Sequence, residues 1–251
     1  MPRFFIDDDF ACTEKIIAPP KSIFLTGEDA SHLVFSLRAR VGEKVTLCTP
    51  SAVEIDCRID EISVHKKTAE VRLVPLSFSL CQSELPVAVT VFQAVPKGKK
   101  VDFVLQKCTE LGAAKIVLVT SDYSIPETSD ADKKLDRYGK IVREAAMQSQ
   151  RGKIPALAVL PSVDVAIKEM QQSDRAFFCY EKGGAPLRSV LSDHTIGSLS
   201  FFIGPEGGIS EREAHLFEKA GICAVSLGGR ILRTETAPLA VLSAILYEYQ
   251  Q

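Results

Sequence analysis

Apolar and polar positions change their rhythm once along this chain. Between residues 21 and 74 the apolar positions fall in short runs rich in β-branched side chains, at 22–26, 44–48, 53–62 and 68–74, separated by turns such as Val41-Gly42-Glu43. That spacing predicts a small β-barrel or sandwich. One short helix fits among the strands, because Gly27-Glu28-Asp29-Ala30-Ser31-His32-Leu33-Val34 places acids in a first turn ahead of apolar residues. Residues 75–86 lose both the strand alternation and the charge, and read as a linker. After the linker, apolar runs alternate with helix-period segments: strand 87–95, helix 99–111 stopped by Gly112, strand 115–120, helix 132–150, helix 163–171, strands 176–180 and 199–203, helix 210–220, strand 223–227 and helix 237–249. Uninterrupted apolar strands between helices imply a parallel sheet covered on both faces. The expected organisation is a β domain over 1–74, a linker over 75–86 and an α/β domain over 87–251.

Composition narrows the class. At 251 residues, 46% hydrophobic and 25% charged, the chain is too large for a disulfide-stapled miniprotein and too apolar for disorder. No apolar run approaches the roughly 18 residues of a membrane span, and Asp7-Asp8-Asp9 stand where a signal peptide would be apolar, so the expectation is a soluble, cytoplasmic protein without membrane contact. Seven cysteines, at 12, 48, 57, 81, 108, 179 and 223, form no CxxC or Cys/His metal spacing and are expected to be reduced thiols, with no structural metal. A net charge of −2 gives no global attraction to nucleic acid, so any RNA contact has to come from a local patch. The candidates are Lys97-Gly98-Lys99-Lys100 at a strand-to-helix junction, with Arg3, Arg38 and Arg40 in the β domain; ordinary solvated charge explains the same residues. His32 reads as a structural residue of the β domain.

Two glycine loops stand out. The strand at 199–203 runs into Gly204-Pro205-Glu206-Gly207-Gly208-Ile209-Ser210, and Ser210 with Glu213 forms a capping box for the next helix. Glycines at the carboxyl edge of a parallel sheet let backbone approach a ligand closely, although a plain tight turn fits the same spacing. No GxGxxG or GxxxxGK[ST] pattern is present, which disfavours a phosphate cradle. The second loop is Leu227-Gly228-Gly229-Arg230-Ile231-Leu232-Arg233-Thr234-Glu235-Thr236, ahead of Pro238. Two arginines and a glutamate in one connection call for a ligand, a partner subunit or mutual pairing. The final helix carries Leu239, Leu242, Ile245, Leu246 and Tyr249 on one stripe, as suits a core or a subunit interface. Gln106 with Glu110, and Glu144 with Gln148 and Arg151, share helix faces that spacing alone reads as solvated.

In this order the two glycine loops resemble the SPOUT superfamily of RNA methyltransferases. More narrowly, Phe202 to Ser210 with Leu227 to Thr236, together with Gln106 to Gly112, Glu144 to Arg151 and Pro2-Arg3-Phe4-Phe5, resemble the bacterial 16S rRNA (uracil-N3)-methyltransferase family over nearly the whole chain. The resemblance implies an N-terminal PUA-like β-barrel and a C-terminal α/β domain whose parallel sheet carries a deep trefoil knot. It implies an S-adenosylmethionine pocket built from Gly204, Glu206, Gly207, Leu227, Gly228, Ile231, Leu232 and Arg233, with Tyr180 and Glu181 at an adjoining strand end. It also implies a homodimer acting on the 16S rRNA of the small ribosomal subunit, at N3 of a uridine in the decoding region. Expected RNA contacts are Arg3, Arg38, Lys97, Lys99 and Arg151. One departure stands out: where family members commonly carry an arginine, this chain reads Ser121-Asp122-Tyr123-Ser124.

Methylation at uracil N3 requires loss of an imide proton and alignment of the nitrogen with the methyl group, so positioning and charge stabilisation should dominate. Arg233 is the expected cation for the uridinate, with Thr234 and Glu235 orienting it and either Glu235 or water taking the proton. The competing readings are a methyltransferase of the same superfamily acting on another rRNA or tRNA base, and a non-catalytic RNA-binding assembly factor. From spacing alone, a nucleotide-using α/β enzyme is a third, without the phosphate motif it needs.

Overall fold

The computed structural model describes residues 1–8, 20–98, 100–124 and 131–250, and the chain divides into two units, 1–84 with 146–153, and 85–145 with 154–251. In the first unit, strands β1 (Arg3–Phe5), β2 (Ile23–Leu25), β3 (Lys44–Cys48), β4 (Val53–His65) and β5 (Thr68–Leu80) lie in the order β1-β3-β4-β5-β2. The β1–β3 pair is parallel and the others antiparallel, so the sheet is mixed. Its ends, β1 and β2, do not pair with each other among the described residues. The predicted short helix is α1 (Gly27–Ser31), continued by a π-helical turn over His32–Ser36. Phe4, Leu33, Val45, Leu47, Ile55, Ile59, Val71 and Leu73 fill the interior.

Two expectations for this unit fail. Residues 75–80, read as linker, continue β5. Pro75 pairs with Cys57 at a register shift in β4, the kind of bulge where a strand tolerates a missing N–H. The second failure concerns RNA contact. Arg3 is buried, with Nη1 2.8 Å from Glu54 Oε1 and donating to the Arg151 carbonyl oxygen at 2.9 Å. Arg151 is 2% exposed, and its guanidinium grips Glu84 through Nε at 2.8 Å and Nη2 at 2.6 Å. Both arginines are therefore internal struts, because pulling either toward a phosphate would strand a carboxylate it now neutralises.

Burial opposes the Glu84 charge, but Arg151 and the N–H groups of Gly152 and Lys153 outweigh it and hold the carboxyl below the usual glutamate range. A lowered folded value means the contribution is complete at neutral pH and fades as pH falls through the ordinary glutamate range toward the folded value. Thermal midpoints between pH 7 and pH 3 should therefore drop more steeply for the parent than for Glu84→Gln; parallel curves would refute the strut. Cys48, Cys57, Cys81, Cys108, Cys179 and Cys223 are all free thiols, and burial first of all pushes Cys48 and Cys57 up to about 12. Cys12 lies outside the described residues.

The second unit contains β6 (Ala88–Ala94), α2 (Lys100–Glu110), β7 (Lys115–Val119), α3 (Ala131–Gln148), β8 (Ala156–Leu160), α4 (Val163–Met170), β9 (Arg175–Cys179), β10 (Ala185–Pro186), α5 (Leu187–Leu191), β11 (Ser198–Ile203), α6 (Glu211–Lys219), β12 (Cys223–Ser226) and α7 (Ala237–Tyr249). The last turn of α3, from Ala146, groups with the first unit. Seven strands in the order β10-β12-β9-β11-β6-β7-β8 form a sheet in which every pair is parallel. Successive side chains serve opposite faces. Val89, Val91, Phe177, Leu199 and Phe201 meet α2, α3 and α7 on one face, while Phe92, Phe178 and Phe202 meet α4 and α6 on the other. Phe178 stacks on Phe217 of α6 with centroids 4.7 Å apart. Strand β6 sits between β11 and β7; β7 and β8 follow on one side, while on the other β11 enters between β6 and the earlier β9, so connections at the carboxyl edge part beside β6. Among the described residues no helix is long and apolar enough to cross a membrane.

Candidate functional site

Strand β11 ends at Ile203, and the chain turns through Gly204 to Gly208 before α6 begins. A Cβ on Gly204 would come within 3.0 Å of the Gly208 backbone, and Gly208 has φ +76°, so both positions need glycine. Ser210 caps α6: its Oγ accepts from Glu213 N at 3.1 Å, while Glu213 Oε2 accepts from Ser210 N at 3.0 Å. The box has a further arm. Glu213 is completely buried, and its Oε1 accepts from Asp122 N at 2.9 Å. Asp122 in turn accepts from Ser210 Oγ at 2.6 Å and from both Nε and Nη2 of Arg212, at 3.0 and 2.6 Å. Arg212 and Ser210 hold the Asp122 carboxyl below the usual aspartate range. The loop after β7 is thereby fastened to the start of α6. Tyr123, 52% exposed, is left beside Gly207, where an added Cβ would lie 2.9 Å from its own.

The second glycine loop leaves β12 through Gly228, at φ +105°. Apart from its chain neighbours, a Cβ on Gly228 or Gly229 would meet no atom of the described residues within 4 Å, so bare backbone faces open space. The loop closes back on the first at Thr234, whose Oγ1 donates to the Gly204 carbonyl oxygen at 2.7 Å and accepts from Gln93 Nε2 at 2.9 Å.

Between the loops lies a cavity of about 670 Å³, within the size range of small-molecule sites. Its lining includes Tyr180, Glu181, Gly204, Glu206, Gly207, Leu227, Gly228, Ile231, Leu232 and Arg233, so the structure brings all ten expected cofactor residues to one place. Thr234 lines it too, while Glu235 does not. Arg233 is 83% exposed, with Nη1 4.0 Å from Glu235 Oε1. Lys100 lies 3.2 Å from Glu235 Oε2 and 2.9 Å from Glu206 Oε1, and those two carboxylates, Glu206 first, raise its pKa. Glu206 also accepts from the Lys97 backbone N–H at 3.1 Å. Burial opposes its charge, but Lys100 and the N–H groups of Glu206 and Lys97 keep it below the usual glutamate range. Lys100, read as a possible phosphate contact, is thus committed to two carboxylates. Lys97 and Arg38 present exposed side chains, Arg38 in the first unit. Lys99 lies outside the described residues.

Sequence reasoning missed Gln93, the third arm of Glu213 and the bridging role of Lys100. An amide in the otherwise mostly apolar run at 87–95, whose other polar residue is Thr90, was the available signal for Gln93. The other two depend on loops far apart in the chain and leave no local trace.

The RNA methyltransferase domain family matches residues 83–246 of this chain. Ribosomal RNA small subunit methyltransferase E of Bacillus subtilis (strain 168) is 34% identical over 257 residues, covering 99% of this chain and 97% of the relative. A crystal structure of Ribosomal RNA small subunit methyltransferase E from Neisseria gonorrhoeae, bound to S-adenosylmethionine, superposes with a TM-score of 0.85 at 30% identity, covering 99% of this chain and 98% of that one. A Legionella pneumophila methyltransferase in complex with the same cofactor gives 0.84 at 27% identity, covering 98% and 96%. With its two glycine loops, its parallel sheet and a match spanning the whole second unit up to residue 246, the chain belongs to the RNA methyltransferase domain family, in the group represented by the ribosomal RNA small subunit methyltransferases E.

Proposed function

We propose that this protein uses S-adenosylmethionine to methylate N3 of a uridine in the decoding region of 16S rRNA. The observation that carries the reading is the cavity that both glycine loops line, at the sheet edge where such folds bind ligands. The likeness to the named relatives supplies the substrate class. The residues present suit the cofactor: Leu227, Ile231 and Leu232 offer apolar walls, Gly228 and Gly229 bare backbone, and Glu181 a carboxylate for an ammonium group. S-adenosylmethionine supplies a methyl group activated by a sulfonium. The chain has to present a uracil from which the imide proton has left, and Arg233 provides the cation that stabilises the resulting charge. Glu235, ion-paired with Lys100, lies 4.0 Å from Arg233 and leaves it free to meet the substrate, and the proton leaves to water. Thr234 contributes no proton, since its own goes to the Gly204 carbonyl.

The same reading includes the trefoil knot through the glycine loops, closure of the N-terminal sheet into a PUA-like barrel, a homodimer and a cytoplasmic location, all supported by the sequence resemblance. Exposed Arg38 and Lys97 remain its phosphate contacts. The test is transfer of labelled methyl from S-adenosylmethionine to unmodified small ribosomal subunits, naked 16S rRNA and tRNA, with the product nucleotide mapped. Label at uridine N3 in small-subunit rRNA is expected. Label confined to tRNA, or to another rRNA position, overturns the target, and no transfer to any of the three overturns the activity.

A further inference from the structure

Gln93 is an amide near the carboxyl end of β6, a strand flanked on both sides in the sheet. It is 0% exposed and sits on β6 opposite Ile203 of β11 and Leu118 of β7. Burying a carboxamide among apolar neighbours is costly unless its groups are bonded. Here only half are: Nε2 donates to the Ala94 carbonyl oxygen and to Thr234 Oγ1, both at 2.9 Å, while Oε1 has no hydrogen-bond partner among the described residues. A leucine of similar volume would carry no such cost, so packing alone does not account for the residue.

The direction of each bond follows from elementary chemistry. The Ala94 carbonyl can only accept, so the NH₂ end of Gln93 has to face it. Thr234 Oγ1 must then accept from that NH₂, which leaves its own proton for the Gly204 carbonyl at 2.7 Å. The result is a one-way relay from strand β6, through the second glycine loop, to the first. Thr234 and Gly204 both line the cavity, and Arg233 immediately precedes Thr234. The three groups tie together segments separated by 141 and 30 residues.

We infer that Gln93 is a positioning residue that sets the separation of the two glycine loops and, through Thr234, the placement of Arg233. The catalytic part of this inference rests on the methyltransferase reading above; the clasp itself does not. It touches neither cofactor nor RNA. Its effect should fall on cofactor affinity through the loop separation and on kcat through Arg233, with less on RNA affinity.

The test compares Gln93→Leu, Thr234→Val and the double variant with the parent chain. Hydrogen exchange of the amides at 204–208 and 228–236 should quicken about tenfold in each single variant, the ratio set by one ordinary hydrogen bond. Exchange in α4 and across β7 should stay at the parent rate, and thermal midpoints should remain within about 3 °C. In the methyl-transfer assay, KM for S-adenosylmethionine should rise by about the same factor as the exchange, with KM for RNA changing less than twofold. The double variant should be no worse than either single one, because both break the same relay. Unchanged loop exchange in Gln93→Leu overturns the clasp. So does faster exchange throughout the second unit, which would make Gln93 a general stabiliser, and so do additive losses in the double variant. A parent chain without methyl transfer would overturn the function proposed above, yet the exchange result would still decide the clasp.

Discussion

Arg233→Ala lowers kcat by about 10²- to 10³-fold, the usual loss when a group that stabilises developing charge is removed, while the fold and cofactor binding persist. The expectation follows from how little the side chain does in the ground state. It is 83% exposed and its nearest partner is Glu235 at 4.0 Å, a contact too long and too wet to matter for stability. Truncation leaves Glu235 still paired with Lys100, so no carboxylate is orphaned. Arg233→Lys should recover part of the rate, because a point charge returns without the planar donor fork of the guanidinium. Single-turnover methylation under saturating cofactor is the measurement, with S-adenosylmethionine affinity determined alongside. Wild-type turnover by the alanine variant would remove Arg233 from the chemistry.

Glu213→Ala should cost about 2–3 kcal/mol of stability and lower the thermal midpoint by roughly 5–10 °C. The N–H of buried Ser210 and the N–H of Asp122, in a part-buried bond, lose their acceptor at once, the buried one worth roughly 1–3 kcal/mol and the other less, and relief of a desolvated charge offsets part of that sum. Glu213→Gln separates shape from acceptor count. A carboxamide has one acceptor oxygen, and its NH₂ would face whichever N–H the oxygen does not serve. Glutamine should therefore rescue only part of the loss. Thermal unfolding of the three proteins decides it, and a glutamine variant as stable as the parent would show that the two-oxygen bridge contributes nothing.

Elements that declare themselves locally were legible in the sequence. Strands β6, β7, β9, β11 and β12 and helices α2, α3, α4, α6 and α7 lie within a few residues of the positions their periodicity predicts. What periodicity could not reveal is short or hidden. Strand β10 has two residues and α5 has five, too few to show a period. Strand β8 is an edge strand with no fully buried side chain, so its run Ala156–Leu160 lacks a core signature. The continuation of β5 past Pro75 was visible as Leu76, Phe78 and Leu80 alternating with serines, but the proline and the loss of charge suggested a linker. The loop residues of the cavity could be named from the sequence because glycines mark backbone that must bend or stay bare. The fates of Arg3, Arg151 and Lys100 could not, since an arginine or lysine looks the same whether it faces a phosphate or a buried carboxylate.

The strand order has a consequence for how the protein comes into being. Strand β12 occupies the slot between β9 and β10, and among the described residues β10 pairs only with β12. During synthesis, therefore, that slot stays empty and β10 has nothing to hold until residues 223–226 have left the exit tunnel. The second glycine loop and α7, which packs against α2 and α5, follow later still. Domains tend to fold as their chain emerges, so the first unit and strands β6, β7 and β8 can form while the cavity does not yet exist, and β9 joins them only when β11 arrives. Everything synthesised before β12 thus lacks a complete ligand site, and ligand-binding competence waits for the second glycine loop.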